Sequence, residues 1–121
     1  MKKPSRKTLG NKLDKLWKDI IKSRAEEFCE LCARPGKDAH HIEGRSPQSL
    51  RWCLENGVFL CFRCHRLGVH SPSSSTQAEF RRKLIKLLGR KQMDELKRMR
   101  YKMVKLSLGD MEELYEQLKS H

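Results

Sequence analysis

Two pairs of cysteines limit what this chain can fold into more than any other feature of its sequence. Cys29 pairs with Cys32 and Cys61 with Cys64, each across two intervening residues, and 28 residues (33–60) separate the two pairs. Two thiolates at this spacing can hold one tetrahedral metal ion from a tight turn, and two such turns complete a closed four-cysteine zinc site. Because a closed site has no open position for a substrate, we expect it to be structural.

The metal would compensate for the modest apolar core that a chain of 121 residues can bury. Zinc binding can contribute roughly 10–16 kcal/mol to the folding of a small domain. The fifth cysteine, Cys53, is predicted to be a small buried side chain rather than a ligand. The pattern also admits a site in which a histidine replaces one of the four cysteines.

The start of the chain, MKKPSRKTLGNK, has basic charge but no apolar stretch behind it, so we do not expect an ordinary secretory signal. No run of residues is apolar for long enough to span a membrane. We therefore expect a cytoplasmic protein, and in that compartment paired cysteines bind metal more often than they form disulfides.

The charge of the chain favours an anionic partner. Lysine and arginine outnumber the acidic residues by 27 to 15, which gives a formal net charge of +12. Nucleic acid is favoured over a membrane surface, since neither terminus has the pattern of a basic helix with a clean apolar face. Eleven basic and two acidic residues lie between positions 81 and 105 without alternating in sign, which predicts a phosphate-contacting surface rather than only a solvated helical face. The candidate DNA contacts are Arg81, Arg82, Lys83, Lys86, Arg90 and Lys91.

Apolar periodicity and turn-forming residues predict an α+β fold. The predicted elements are, in chain order, a basic disordered tail over 1–7, an amphipathic helix over 8–27, strands over 37–42 and 58–60 around a loop, and a short helix over 62–67. Residues 8–71 are expected to form one unit, which a linker over 71–76 joins to a basic helical segment over 76–121. In that segment a capping box of Thr76 and Glu79 predicts one helix to about 88, a second follows over 91–105, and Asp110 with Glu113 begins a third.

Polar residues with catalytic chemistry are concentrated inside the cysteine region. Four of the five histidines lie there, together with an asparagine just before the second strand: His40, His41, Asn56, His65 and His70. Taken alone, the adjacent pair His40-His41 could be a solvated loop, two metal ligands, or a ligand beside a general base. Asp38 is either a partner of a histidine or a turn residue, and Glu43 is predicted to be solvated.

Residues 28–70 together resemble the HNH endonucleases, or ββα-metal nucleases, and in particular their zinc-stapled branch common in bacteriophages. The resemblance lies in the order of the C-x2-C pair, DAHHIEG, ENGVFLC and FRCHRLGVH. It implies a ββα-metal core with the N-terminal helix and the C-terminal helical segment as flanks. It also implies metal-dependent hydrolysis of DNA phosphodiester bonds, in phage DNA processing, packaging or recombination, within the host cytoplasm.

The resemblance also implies a role for each residue. His41 would be the general base, His40 a ligand of the catalytic metal, and Asn56 the residue that orients the loop and the base. His65 and His70 compete for the remaining ligand positions. The ion would be Mg²⁺, Mn²⁺ or Ni²⁺, and a site of three imidazoles would favour the softer ions over Mg²⁺.

Two of these roles raise a geometric question. Neighbouring side chains point to opposite faces of a regular strand, so His40 and His41 can serve one site only if the strand twists, bulges or ends there. His65 and His70 are five residues apart, which is about 140° around an α-helix, whereas an i, i+4 pair differs by about 40°. We expect Gly68 to break the helix and let His70 turn back.

The principal alternative is a zinc-stapled DNA-binding or assembly module without chemistry. It would keep the four-cysteine site and the basic surface, but it would have no second metal. In either case DNA is the expected partner, phage packaging or recombination proteins are further candidates, and the chain is expected to be a monomer or a weak dimer.

Overall fold

The computed structural model describes residues 5–102 and 104–121, and in them the chain is α+β, mostly helical, with a two-stranded antiparallel sheet. Its main elements are α1 (Arg6–Arg24), β1 (Asp38–His41), α2 (Gln48–Arg51), β2 (Gly57–Leu60), α3 (Phe62–Cys64), α4 (Ser74–Leu88), α5 (Arg90–Tyr101) and α6 (Leu108–Lys119). A 3₁₀ turn precedes β2 at Leu54–Asn56, and a π-helical turn, His65–Val69, follows α3. None of the helices in these ranges has the length and apolarity that a membrane crossing requires.

The N-terminal helix starts earlier and ends earlier than its apolar pattern predicts. Ser5 caps it by accepting a hydrogen bond from the backbone of Thr8, so Arg6 and Lys7 are helical rather than part of a tail. Residues 1–4 of the predicted tail lie outside the described residues. At the other end the helix stops at Arg24, and Glu26 and Glu27, which have positive φ, lead the chain away from it. The buried side of the helix carries Leu9, Leu13, Trp17 and Ile21.

The sheet separates two apolar clusters. Successive residues of β2 alternate between them, since Val58 and Leu60 belong to one cluster and Phe59 to the other. The first cluster lies between the sheet, the cysteines, α4 and α5, and the second lies between the sheet, α1 and α6. Gly57 permits the close approach of α1, because a Cβ there would lie 2.5 Å from Ile21 Cδ1.

The loop between the strands, expected to be irregular, contains α2 and the 3₁₀ turn. Within the described residues the C-terminal segment forms three helices, as predicted, but two of them start at other caps. Ser73, rather than Thr76, caps α4, with its hydroxyl accepting from the Thr76 backbone at 3.4 Å. Helix α6 begins with a capping box of Ser107 and Asp110, so Asp110 is the third helical residue and not the cap. Helix α5 ends at Tyr101, four residues before its predicted end.

Candidate metal centres and active site

The four paired cysteines meet in one cluster. The Sγ atoms of Cys29, Cys32, Cys61 and Cys64 lie within 4.8 Å of one another, and all four are free thiols. Four sulfur donors at this separation suit a tetrahedral ion such as zinc. Three of the four side chains are buried, so the cluster faces the protein interior rather than a cavity. These features indicate a structural metal site.

Two short turns present the cysteines. In the first, the Cys29 carbonyl accepts a hydrogen bond from the Ala33 backbone at 2.9 Å, and Ala33 has a positive φ of 64°. In the second, the Cys61 Sγ caps α3 by accepting from the Cys64 backbone at 3.5 Å. Burial opposes ionisation of Cys61, but this N–H and the neighbouring thiols lower its pKa to about 7, which favours a thiolate ligand.

Cys53 lies outside the cluster, as predicted, and is half-buried. Its thiol donates to Glu55 Oε2 at 3.2 Å. Burial, with the neighbouring Glu55 carboxylate, raises the pKa of Cys53 to about 11. The thiol is therefore protonated at neutral pH and is poorly suited to bind metal.

A second cluster contains three histidines, one from β1 and two from the π-helical turn and its end. One ring nitrogen of each of His40, His65 and His70 lies within 4.8 Å of the others. The ring centroids are 5.1 Å apart for His40 and His65, 5.0 Å for His40 and His70, and 4.7 Å for His65 and His70. Three imidazoles in this arrangement could hold one transition-metal ion.

The π-helical turn accounts for the five-residue spacing of His65 and His70. The backbone N–H of His70 donates to the His65 carbonyl at 3.0 Å, an i to i+5 bond that places His70 one full turn beyond His65. The chain thus widens its turn instead of breaking at Gly68. Gly68 lies inside the turn, where a Cβ would come within 2.6 Å of the Phe80 ring.

The surroundings of His40 and His65 favour the neutral forms of these two imidazoles. Burial, followed by the charges of His65, His70 and His41, lowers the pKa of His40 to about 3. His65 Nδ1 lies 3.1 Å from Asp38 Oδ2, so in the neutral ring Nδ1 carries the proton and Nε2 keeps its lone pair. Burial outweighs Asp38 and lowers the pKa of His65. Asp38 is therefore a histidine partner and not only a turn residue.

His41 faces the opposite side of β1 from His40. Its ring stacks on Trp17 of α1, with centroids 4.0 Å apart and planes 6° from parallel. Its Nε2 lies 2.9 Å from the Arg51 carbonyl, which can only accept, so Nε2 carries the proton and Nδ1 has the lone pair. Burial lowers the pKa of His41 despite this hydrogen bond, so the ring is neutral at pH 7 and can accept a proton at Nδ1.

Asn56 connects distant parts of the loop between β1 and β2 through its side-chain hydrogen bonds. It is fully buried, its Oδ1 accepts from the Glu43 backbone at 2.9 Å, and its Nδ2 donates to the carbonyls of Gly44 and Leu50 at 3.0 Å. It does not bond to His41 directly. Its Nδ2 holds the carbonyl of Leu50, one residue before the Arg51 carbonyl that holds His41, so Asn56 orients the His41 ring through the backbone.

One cavity of about 750 Å³ joins the two adjacent histidines. Because β1 ends at His41, both His40 and His41 line this cavity although their rings lie on opposite faces of the strand. His70 lines it as well, and Arg81 of α4 and Arg100 of α5 also contribute to its wall. The end of the strand thus answers the geometric question that the sequence raises.

Glu43 corrects an expectation from the sequence, which predicts a solvated side chain. It is buried, with only 6% of its surface exposed, and it pairs with Arg81 and Arg100. Both partners come from helices far along the chain, so no local pattern could have indicated them. A carboxylate two residues after a histidine pair, with a basic segment later in the chain, was the only available signal.

The six predicted DNA contacts divide into two groups. Arg81 lines the cavity, whereas the other five side chains are exposed: Arg82, Lys83, Lys86, Arg90 and Lys91. On α4 the three exposed members lie about 100–160° around the helix from Arg81, so they face away from the cavity. The five exposed residues remain a predicted surface for DNA contacts, and this surface lies outside the histidine cavity.

Comparison with known proteins assigns no family. No family model matches the chain, and neither the curated proteins nor the solved structures yield a match.

Proposed function

We propose that this protein is a metal-dependent endonuclease of the HNH type, with a ββα-metal core, that hydrolyses DNA phosphodiester bonds. One observation carries the proposal: His40 and His70, two members of a histidine triad that could bind metal, line the same cavity as His41, a neutral histidine with a free Nδ1. Phosphodiester hydrolysis needs a group that activates water and a group that stabilises negative charge, and the two histidine sites could divide these tasks.

His41 is the proposed general base. Its Nδ1 takes a proton from water, the water oxygen bonds to phosphorus, and the bond from phosphorus to the 3′-oxygen breaks. The 3′-oxygen leaves and takes a proton from solvent, which yields a 3′-hydroxyl and a 5′-phosphate. The Nε2–H of His41 stays on the Arg51 carbonyl throughout, and Trp17 keeps the ring from rotating.

His40, His65 and His70 are the proposed ligands of the catalytic ion. When bound, a divalent ion such as Mn²⁺, Ni²⁺ or Mg²⁺ would stabilise the charge on the phosphate and on the leaving oxygen, and an all-imidazole site favours the softer ions. Asp38 holds the His65 ring in the tautomer that presents Nε2 to the cluster. The basic surface would hold the DNA backbone without reading its sequence.

Nicking of supercoiled plasmid tests this proposal. We expect zinc-loaded wild-type protein to nick DNA with Mn²⁺ or Ni²⁺, and His41→Ala to lose roughly 100- to 10,000-fold in rate, the usual contribution of a general base. His121→Ala is the matched control, since this histidine is exposed at the end of the chain. Thermal melts of all variants check folding. Equal nicking by wild type and His41→Ala would eliminate the mechanism.

The alternative, a zinc-stapled DNA-binding or assembly module without chemistry, has one observation in its favour. The exposed basic residues of α4 face away from the cavity, so DNA could bind there without reaching the histidines. Metal content separates the two functions: a nuclease binds a second divalent ion that His65→Ala removes, whereas the module binds zinc alone.

A further inference from the structure

The cavity has a basic wall, provided by Arg81 and Arg100, that the mechanism above does not use. The two guanidiniums come from α4 and α5, and one carboxylate links them. Glu43 Oε1 pairs with Arg81 Nη2, and Glu43 Oε2 lies 3.5 Å from Arg100 Nη1. Among the described residues, neither arginine forms an ion pair with any other acid.

This arrangement leaves charge and donors for a further anion. Two cations share one anion, so the group keeps one net positive charge. A guanidinium has five N–H donors, and the contacts to Glu43 occupy one nitrogen of each arginine. The Glu43 side chain is 2% exposed, whereas those of Arg81 and Arg100 are 41% and 57% exposed. The carboxylate is therefore enclosed while the guanidiniums remain accessible to a ligand.

Glu43 also connects this wall to the reacting groups. It follows His41 by two residues, and its backbone N–H donates to Asn56 Oδ1 at 2.9 Å. The same asparagine that orients the base thus fixes the start of the Glu43 side chain. The charge pairs therefore join α4 and α5 to the loop directly after β1 and orient the two guanidiniums relative to His41.

We propose that Arg81 and Arg100 form a subsite for a DNA phosphate that neighbours the one being cut, and that Glu43 is the residue that positions them. The inference rests on the proposed function and names a binding surface within it. A planar fork of N–H donors matches the oxygens of a phosphate, and orientation by a buried carboxylate reduces the side-chain entropy lost on binding. The C-terminal helices then contribute directly to the active site.

The test measures DNA binding separately from cleavage. Fluorescence anisotropy of a labelled duplex, with zinc-loaded protein and no other divalent ion, gives affinity at several salt concentrations. We expect Arg81→Gln and Arg100→Gln each to weaken binding roughly 10-fold and to lower the slope of log K against log salt by about 1. Lys12→Gln, exposed on α1 and outside both this cavity and the basic surface over 81–105, is the control and should retain the wild-type slope.

Two further variants separate binding from structure. Arg81→Lys and Arg100→Lys keep the charge without the fork, so we expect the wild-type slope with affinity between wild type and the Gln variants. Glu43→Gln keeps both arginines, so we expect an undiminished salt slope but slower plasmid nicking. A merely structural clamp would lower the melting temperature of these variants and leave the slope of the Gln variants unchanged.

The outcomes distinguish this inference from the proposed function. If folded Arg81→Gln and Arg100→Gln bind DNA with the affinity and slope of Lys12→Gln, the subsite is refuted and the nuclease proposal stands. If they lower the slope while wild type nicks DNA with none of the three divalent ions, the two arginines bind a DNA phosphate but the nuclease proposal fails. If wild type binds no DNA at low salt, both are refuted.

Discussion

The cysteine cluster and the histidine cluster interleave along one short segment, yet they are built in opposite ways. Cys64 and His65 are neighbours in sequence, but one side chain joins the four sulfurs and the other joins the three imidazoles. The cysteines come as two local pairs on tight turns and face the interior. The histidines come from a strand and a π-helical turn, and one of them, His70, is exposed at a cavity. A closed set of ligands suits stability, and an open set suits chemistry.

The largest expected effect is on folding, and it should differ between substitutions at the adjacent positions Cys64 and His65. Cys64→Ser removes one ligand of the closed site, and structural zinc contributes roughly 10–16 kcal/mol in small domains, so we expect loss of cooperative folding. His65→Ala should keep a cooperative melt and lose only the second metal. Circular dichroism melts of both variants, with zinc content determined in parallel, make the comparison. A folded, zinc-free Cys64→Ser protein would contradict the structural role of the sulfur cluster.

We expect a smaller effect, on metal affinity, when Asp38, the hydrogen-bond partner of His65, is changed. Asp38→Asn keeps the size of the side chain but weakens its hold on His65 Nδ1, and such partners typically change metal affinity by about 10- to 100-fold. Titration calorimetry of Mn²⁺ or Ni²⁺ into zinc-loaded protein measures it. Asp94→Asn, exposed on α5, is the control. Unchanged affinity in Asp38→Asn would mean that Asp38 does not orient the ligand.

The smallest effect concerns acid stability. The pKa of His40 is about 3 in the folded chain and near 6.5 when unfolded, so below pH 6.5 the unfolded state binds more protons. The stability that depends on neutral His40 is complete above pH 6.5 and declines as pH falls toward 3, by up to about 1.4 kcal/mol per pH unit.

Urea unfolding at pH 7.5 and 5.5, with zinc and no second metal, measures this decline. His40→Gln lacks the titrating ring, so its stability should fall less than that of the wild type over the same interval. Zinc release at low pH affects both proteins alike and cancels in the difference. Parallel declines in the two proteins would show that His40 does not titrate as its burial implies.

The same contrast explains what the sequence could predict. The cysteine ligands are local pairs, so their spacing alone indicates the cluster. The two strands lie between these pairs, as the sequence predicts. The histidine triad depends on a π-helical turn that no residue pattern specifies. The sequence therefore identifies the three histidines but does not predict how the turn brings them together. Glu43 is the clearest failure, because its partners lie 38 and 57 positions away and come together only through tertiary packing. Helix starts were missed where several serines and acids offered competing caps.

The π-helical turn has a consequence for the tolerance of this segment to insertions and deletions. An ordinary α-helical turn brings residues four apart onto one face, and the wider turn here does the same for residues five apart. A chain with one residue fewer between His65 and His70 could therefore present the same two imidazoles from an α-turn. The two imidazoles would then lie about as far apart in space as they do here, although they would be one residue closer in the sequence.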